Sequence, residues 1–216
     1  MCSNNSNIIL LLFLTFVTQA VRNEKILSRD RNLQSILEWV DGNRKQFRRP
    51  VHGPIVCEVS ARDGDVSNYL EQHVKNSVLN SFVVECREDM NLLYREVREK
   101  RKLRINIQMV DQGKLKPLNR LYSDRKMQTL QRDHDVRGYL DEFFDAPDAI
   151  MQALRNTSYV QGVLIGGERT KNNLDQGLQD YLFQKENGNG KQKFCIFAKE
   201  MIGRQRMYKV SQQYFF

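Results

Sequence analysis

The chain has 216 residues, 40% of them hydrophobic and 28% charged. That is enough apolar mass for one medium domain or two small ones. Lys and Arg number 34 against 26 Asp and Glu, a formal net charge of +8. The balance favours polyanionic partners such as nucleic acid or an anionic membrane surface, and it equally suits a solvated basic face. Cys2, Cys57, Cys86 and Cys195 include no C-x-x-C pair, and His52, His73 and His134 are scattered. This argues against a zinc site. Cys57 and Cys195 sit in apolar, strand-like runs, where a thiol behaves as a small hydrophobe. The pattern fits a reducing compartment and not a disulfide framework.

The first segment, residues 1–21, is an apolar leader. Ile8–Val17 is nearly unbroken in its hydrophobicity, with a small residue, Ala20, after it. It is too short to span a bilayer as a helix. Met1–Asn7 carries no Lys or Arg, so the basic lead of a signal peptide is missing. Three readings stand: a weak signal peptide, an apolar stretch without targeting meaning, or sequence foreign to the domain. The third is favoured because the rest reads as intracellular. A true signal would lead to the secretory pathway and open Asn156-Thr157-Ser158 to glycosylation.

Residues 22–49 read as a helical arm. Leu33, Ile36, Leu37 and Val40 recur at helical spacing with charges opposite, either the end of a coiled-coil arm or an ordinary amphipathic helix. Pro50 and Gly53-Pro54 end it. A first lobe, 50–110, follows. Ile55–Val59 reads as a strand, Val66–Val74 as a helix after Asp63-Gly64, Phe82–Glu85 as a strand and Met90–Lys100 as a helix. Leu103–Val110 alternates apolar and polar residues, the mark of a half-buried strand. Asp111–Asp135 is polar and weakly periodic, a connector with room for a short helix. The second lobe, 136–216, places Pro147 in the first turn of a helix bearing Ile150, Met151 and Leu154. Val160–Ile165 reads as a strand, and Leu174, Leu178, Tyr181 and Leu182 mark a helix. Glu186–Gln192 reads as a loop, Phe194–Ala198 as a strand and Met207–Val210 as a further strand. Strands alternating with helices define an α/β class, mixed with α+β.

Chemistry-bearing motifs are scarce. No G-x-x-x-x-G-K-[ST] loop occurs, and no G-x-S-x-G elbow. Asp141, Glu142, Asp145 and Asp148 read as helix-start and solvent-face residues rather than a carboxylate pair. No catalytic constellation, metal site or cofactor site emerges. The densest basic run is Arg98, Lys100, Arg101, Lys102 and Arg104. Cations at a helix C-terminus are favoured by its dipole; the same run suits sequence-independent phosphate contact. Lys100, Arg101, Lys102, Arg104, Lys191 and Lys193 are the candidate DNA-contacting residues. Tyr208, Tyr214, Phe215 and Phe216 are candidates for base stacking or for core packing. Gly162, Val163, Ile165, Gly166 and Gly167 form a glycine-bracketed strand. Those glycines serve either turns or close approach of a second subunit, and are the candidate dimer interface.

A series of short motifs runs in one order along the chain. Trp39, Asn43 and Phe47 lead to Val51 and Pro54-Ile55. Phe82-Val83-Val84, Glu88-Asp89-Met90 and Lys102-Leu103-Arg104-Ile105-Asn106 follow. Gly138-Tyr139-Leu140, Asp145-Ala146-Pro147 and Val163-Leu164-Ile165-Gly166 close it. The series resembles the hinge domain of the structural maintenance of chromosomes (SMC) family, from about residue 33 to 210. The resemblance implies a non-catalytic dimerisation module of two α/β lobes, set between coiled-coil arms whose far ends carry ATPase heads. It implies heterodimerisation with the hinge of structural maintenance of chromosomes protein 6 and binding of single-stranded DNA. It also implies a role in chromosome organisation and recombinational DNA repair in the nucleus. Arms and ATPase motifs are absent here, so the chain reads either as a piece of such a protein or as a free-standing hinge. A stand-alone chromatin-silencing hinge and a small secreted basic protein are the alternatives.

Overall fold

The computed structural model describes residues 21, 23–111, 118, 120–178, 181–182, 194–199 and 205–210. The apolar leader Ile8–Val17 and the Glu186–Gln192 loop lie outside them. In chain order the elements are α1 (Arg31–Gly42), α2 (Ile55–Glu58), β1 (Ser60–Ala61), α3 (Gly64–His73), α4 (Asn76–Leu79) and β2 (Phe82–Val84). Next come α5 (Arg87–Leu93), β3 (Ile107–Met109), α6 (Asp124–His134), β4 (Val136–Tyr139) and β5 (Phe144–Asp145). The last are α7 (Asp148–Ser158), β6 (Val163–Gly166), α8 (Glu168–Asn173), β7 (Phe194–Lys199) and β8 (Gln205–Val210). Widened π-type turns continue α5 through Tyr94–Lys100 and α8 through Leu174–Leu178. Helices and small sheets alternate, as an α/β hinge-like reading of the sequence requires.

The chain divides into two compact units, each assembled from separate stretches. The first takes the described residues of Met1–Ser60, Asn76–Lys114 and Ala146–Ala153. The second takes those of Ala61–Lys75, Leu115–Asp145 and Leu154–Phe216.

In the first unit, Asp30 caps α1 by accepting the Leu33 N–H at 3.0 Å, satisfying a donor the helix leaves unpaired. Leu33, Ile36 and Val40 fall on one face of α1 and are buried. They pack on Phe82 and Val84 of β2 and on Leu93 and Val97 of the α5 helix and its continuation. Each such side chain contributes about 1.5–3 kcal/mol by leaving water. All three residues of β2 are buried, because both its edges are occupied. β3 runs parallel to it, with Phe82 opposite Ile107 and Val84 opposite Met109. His52 bridges Val83 from the other side.

The expected strand Ile55–Val59 is instead one turn of helix, α2. Its β-branched residues suggest a strand, but local hydrogen bonding wins. The Cys57 N–H donates to the Pro54 carbonyl at 2.8 Å and Val59 N–H to the Ile55 carbonyl at 3.1 Å. Glu58 turns its carboxylate back onto the Gly53 N–H, which needs a helical turn between them. Cys57 is buried on this turn, a small hydrophobe as expected, though not in a strand. The expected strand Leu103–Val110 is shortened to β3, and its alternation fails at the end. Met109 is 51% exposed while Val110 is 2% exposed.

In the second unit a sheet runs in the order β4-β6-β7-β8. β6 pairs antiparallel with β4 and parallel with β7, so all four of its residues are buried. β7 and β8 form an antiparallel pair from Phe194 opposite Val210 to Lys199 opposite Gln205. The start of the expected strand Val160–Ile165 is a tight 3-10 turn, Val160–Gly162, before β6. The polar segment before residue 136 carries α6, whose Ser123 cap accepts the Lys126 N–H. Leu130 of α6 joins a core with Tyr122, Val136, Tyr139, Leu164, Leu174 and Leu178. Asp141, expected on a solvent face, instead has its side chain fully buried, because Arg120 at 2.6 Å and Arg155 at 2.9 Å neutralise it there. Arg120 also lies 4.4 Å over the Tyr139 ring. A carboxylate removed from water in this way needs both partners.

Candidate nucleic-acid interface

The sequence-predicted basic run sits where the π-type continuation of α5 ends. Its first members are already engaged. Glu96 accepts from Lys100 Nζ at 2.7 Å and from Arg95 Nε at 3.2 Å. Arg101 lies 3.7 Å from the same carboxylate and donates to the Glu96 carbonyl at 2.8 Å. The Lys100 hydrogen bond, assisted by Arg95, holds the Glu96 carboxyl below its ordinary range. The Arg101 guanidinium also lies 5.0 Å over the Trp39 ring. Lys100 and Arg101 thus serve the end of the helix first, as cations at a C-terminus do.

Lys102 and Arg104 differ. Both are exposed, and among the described residues neither meets a carboxylate. Lys102 takes a left-handed backbone, φ 57°, which turns the chain out of the helix. Arg104 is anchored by its backbone alone. Asn32 Nδ2 donates to its carbonyl at 2.7 Å, and its N–H donates to Asn32 Oδ1 at 3.0 Å. One side chain of α1 therefore stands in for a neighbouring strand, and Arg104 is left exposed. Asp30, Asn32, Leu33, Asn80, Lys102, Arg104 and Asn106 line a shallow cleft of about 420 Å³. Lys191 and Lys193 lie outside the described residues.

Sequence reasoning missed another basic group on the first unit, Arg44, Arg48 and Arg49 beside Phe47. The signal was the run Arg-Lys-Gln-Phe-Arg-Arg at 44–49, which reads as the polar end of a helix.

The glycine-bracketed strand lies in the second unit. Gly162 supports the ring of Tyr159, which would meet an added Cβ at 2.1 Å. Gly166 faces Thr170 and Gly167 faces Asp135 at similarly short range. Val163 and Ile165 are buried within β6. The close approaches at these glycines are made by the chain's own residues, and both edges of β6 are taken by β4 and β7.

Among the described residues no group of His, Cys, Asp and Glu could hold a metal ion, and no helix is long and apolar enough to cross a membrane. The site is a set of cations on a hydrogen-bonded scaffold.

No family model matches the chain. Its architecture does match solved structures. It superposes on the S. pombe Smc5/6 hinge domain with a TM-score of 0.67 and 15% identity, covering 94% of this chain and 76% of that one. The Geobacillus stearothermophilus SMC hinge domain, crystallised as an asymmetric dimer, matches with a TM-score of 0.52 and 12% identity, covering 92% of this chain and 75% of that one. The fold is that of an SMC hinge domain. In sequence, 148 residues, 67% of the chain, are 27% identical to structural maintenance of chromosomes protein 5 of Arabidopsis thaliana. The match spans 13% of that protein's length. The chain thus has the fold of an SMC hinge domain, and its sequence resembles protein 5 of that family.

Proposed function

We propose that this hinge joins the hinge of structural maintenance of chromosomes protein 6 and binds single-stranded DNA, without catalysing a reaction itself. The observation that carries the pairing is the match to the S. pombe Smc5/6 hinge at a TM-score of 0.67, together with the sequence likeness to protein 5. A free strand edge supports it. Among the described residues β3 pairs only with β2, and β4 only with β6. The β3 edge favours addition of a partner strand, whereas on β4 the Tyr139 N–H already donates to Glu142 at 2.9 Å and the Arg137 carbonyl accepts from Gln131 at 3.4 Å. Gly162, Val163, Ile165, Gly166 and Gly167 contribute by shaping β6 behind the β4 edge. The +8 charge and the exposed Lys102 and Arg104 support DNA contact through phosphates. The corresponding whole-protein role is chromosome maintenance and recombinational repair in the nucleus.

The test is light scattering of the chain mixed with a purified protein 6 hinge, followed by titration of a labelled oligothymidine at low salt. A one-to-one complex that binds the oligonucleotide is expected. A chain that stays monomeric and binds no DNA would sink the reading.

A further inference from the structure

We propose that Ser28–Asp30 is a two-state elbow in the first unit. In one state the short helix at residues 23–27 is folded down onto the unit, as it is here; in the other it runs straight into α1 as a single helix. The choice sets the direction in which the chain enters the unit at Asn23, and it requires neither a partner nor nucleic acid. Residues 23–27 are helical, Ser28 and Arg29 form a turn, and α1 starts afresh at Arg31. Neither Gly nor Pro occurs from Val21 to Asp41, so the commonest causes of a sharp helix break are missing.

Side chains make the break. In a continuous helix the Arg29 N–H would bond the Lys25 carbonyl, and the Leu33 N–H the Arg29 carbonyl. Here the Ser28 hydroxyl donates to the Lys25 carbonyl at 3.0 Å. The Arg29 and Asp30 N–H groups reach only three residues back, to the Ile26 carbonyl at 3.2 Å and the Leu27 carbonyl at 3.1 Å. The Leu33 N–H goes to Asp30 Oδ1 at 3.0 Å, and the Asp30 backbone is non-helical at φ −129° and ψ 89°. Ser28 thus closes the first helix and Asp30 opens the second, each satisfying groups that a helix end leaves unpaired. Ser and Asp also occur inside helices at a modest loss of propensity, so the sequence permits the straight form as well.

The two helices are held very differently. Asn23 Nδ2 of the entry helix donates to the Cys57 carbonyl on α2 at 3.0 Å, and Leu27 packs, partly buried, against the core of the unit. In α1, by contrast, Leu33, Ile36 and Val40 are buried. Asn32 holds both backbone groups of Arg104, and one heptad later Trp39 lies beneath the Arg101 guanidinium. α1 is therefore fixed to the unit along its length, and movement falls at the elbow. Ser28 and Arg29 are exposed, so rewinding the turn uncovers no core. Two forms that differ by one side-chain hydrogen bond, one half-buried leucine and two end caps exchange by population shift, and whatever favours either form moves the balance.

The test is double electron–electron resonance on the full chain, with spin labels on unnatural side chains at Glu24 and Glu38, both exposed. In a straight helix these positions lie about 21 Å apart along the axis, and a bend shortens the separation. The parent is expected to show the shorter distance. Ser28→Ala with Asp30→Ala should move the main distance to the straight value and raise the helix signal in far-ultraviolet circular dichroism, because residues 28–30 join the helix. Asn23→Ala, which leaves both caps in place, should shift the same balance part of the way. Adding Arg31→Pro to the alanine pair should bring the short distance back. Proline is accepted at the first position of a helix that starts at Arg31 and forbids an unbroken helix through it. A parent already at the straight distance would overturn the elbow, as would an alanine pair that keeps the short one. A fall in helix signal with a broadened distance distribution in the alanine pair would also overturn it, since Asp30 would then do no more than cap α1. The straight distance persisting after Arg31→Pro would do the same.

Discussion

His52 couples the stability of the first unit to pH. Its Nδ1 lies 3.3 Å from Glu58 Oε2, and both side chains are mostly buried, 22% and 30% exposed. The hydrogen bond to Glu58 raises the imidazole pKa above its ordinary 6.5, against the opposing effect of burial. Nearby Glu85 adds to the rise and Arg44 reduces it. The folded state therefore holds this proton more tightly than the unfolded chain. The resulting stability is fully present below pH 6.5 and is lost as pH climbs through the raised value. Replacing His52 with Gln removes the titration. The gap in thermal midpoint between parent and variant should be widest in mildly acidic buffer and should narrow through neutrality; a gap independent of pH would refute the coupling. Asp89 acts at the same scale through its hydrogen bonds to the backbone. Asp89→Ala strands the Arg48 and Arg49 amides, at a cost of about 2–4 kcal/mol, whereas Asp89→Asn keeps one acceptor oxygen and should cost less. Urea midpoints measure both. Equal costs would mean that packing, not the hydrogen bonds to the amides, is what Asp89 provides.

At the level of elements, capping and periodicity were legible where the determinants are local. Asp63 begins α3 by accepting the Val66 N–H at 2.8 Å, as the Asp63-Gly64 pair predicts. The spacing of Leu33, Ile36 and Val40 predicts the buried face of α1. Elements shaped by distant partners were not legible. Nothing near Arg104 in sequence announces that Asn32, 72 residues away, occupies its backbone groups; with that neighbour the strand begins only at Ile107. Nothing near Ile55 shows that the one-turn α2 serves to return Glu58 to Gly53. The arginines at 44–49 were visible, but their clamp at Asp89 was not. The glycines divide in the same way, by what lies over them. An added Cβ at Gly166 falls 2.4–2.6 Å from Thr170. Thr170 is fully buried and donates its hydroxyl to the His134 and Asp135 carbonyls. Gly166→Ala should therefore cost about 1–3 kcal/mol by overpacking the β6–α8 junction. Gly42, at the end of α1, has nothing within 4 Å of an added Cβ. Gly42→Ala should leave stability unchanged or raise it by up to about 1 kcal/mol. Equal effects at both positions in chemical denaturation would show that space around the glycine is not what decides them.

For the whole molecule, connectivity decides what can fold alone. Each unit is assembled from three stretches of chain, and the chain passes from one unit to the other at 60/61, 75/76, 114/115, 145/146 and 153/154. A cut at residue 110 gives a fragment that lacks Ala146–Ala153, the last stretch of the first unit. That stretch holds Ala149, Ile150 and Ala153, all buried. The same fragment retains Ala61–Lys75 without the remainder of the second unit, so the buried Val66, Tyr69 and Leu70 of α3 lose their surroundings. Exposing side chains of this kind costs about 1.5–3 kcal/mol each, comparable in sum to the entire stability of a small domain. The fragment 1–110 should therefore show helix by far-ultraviolet circular dichroism but no cooperative melt, while the full chain melts cooperatively. Adding residues 111–145 should not rescue it, because Ala146–Ala153 is still missing. Adding 111–158 should restore order to the first unit alone, read as protected amides in β2 and β3. A cooperative melt of 1–110 by itself would show that 50–110 is an independent lobe after all, with the later stretch packed onto a finished core.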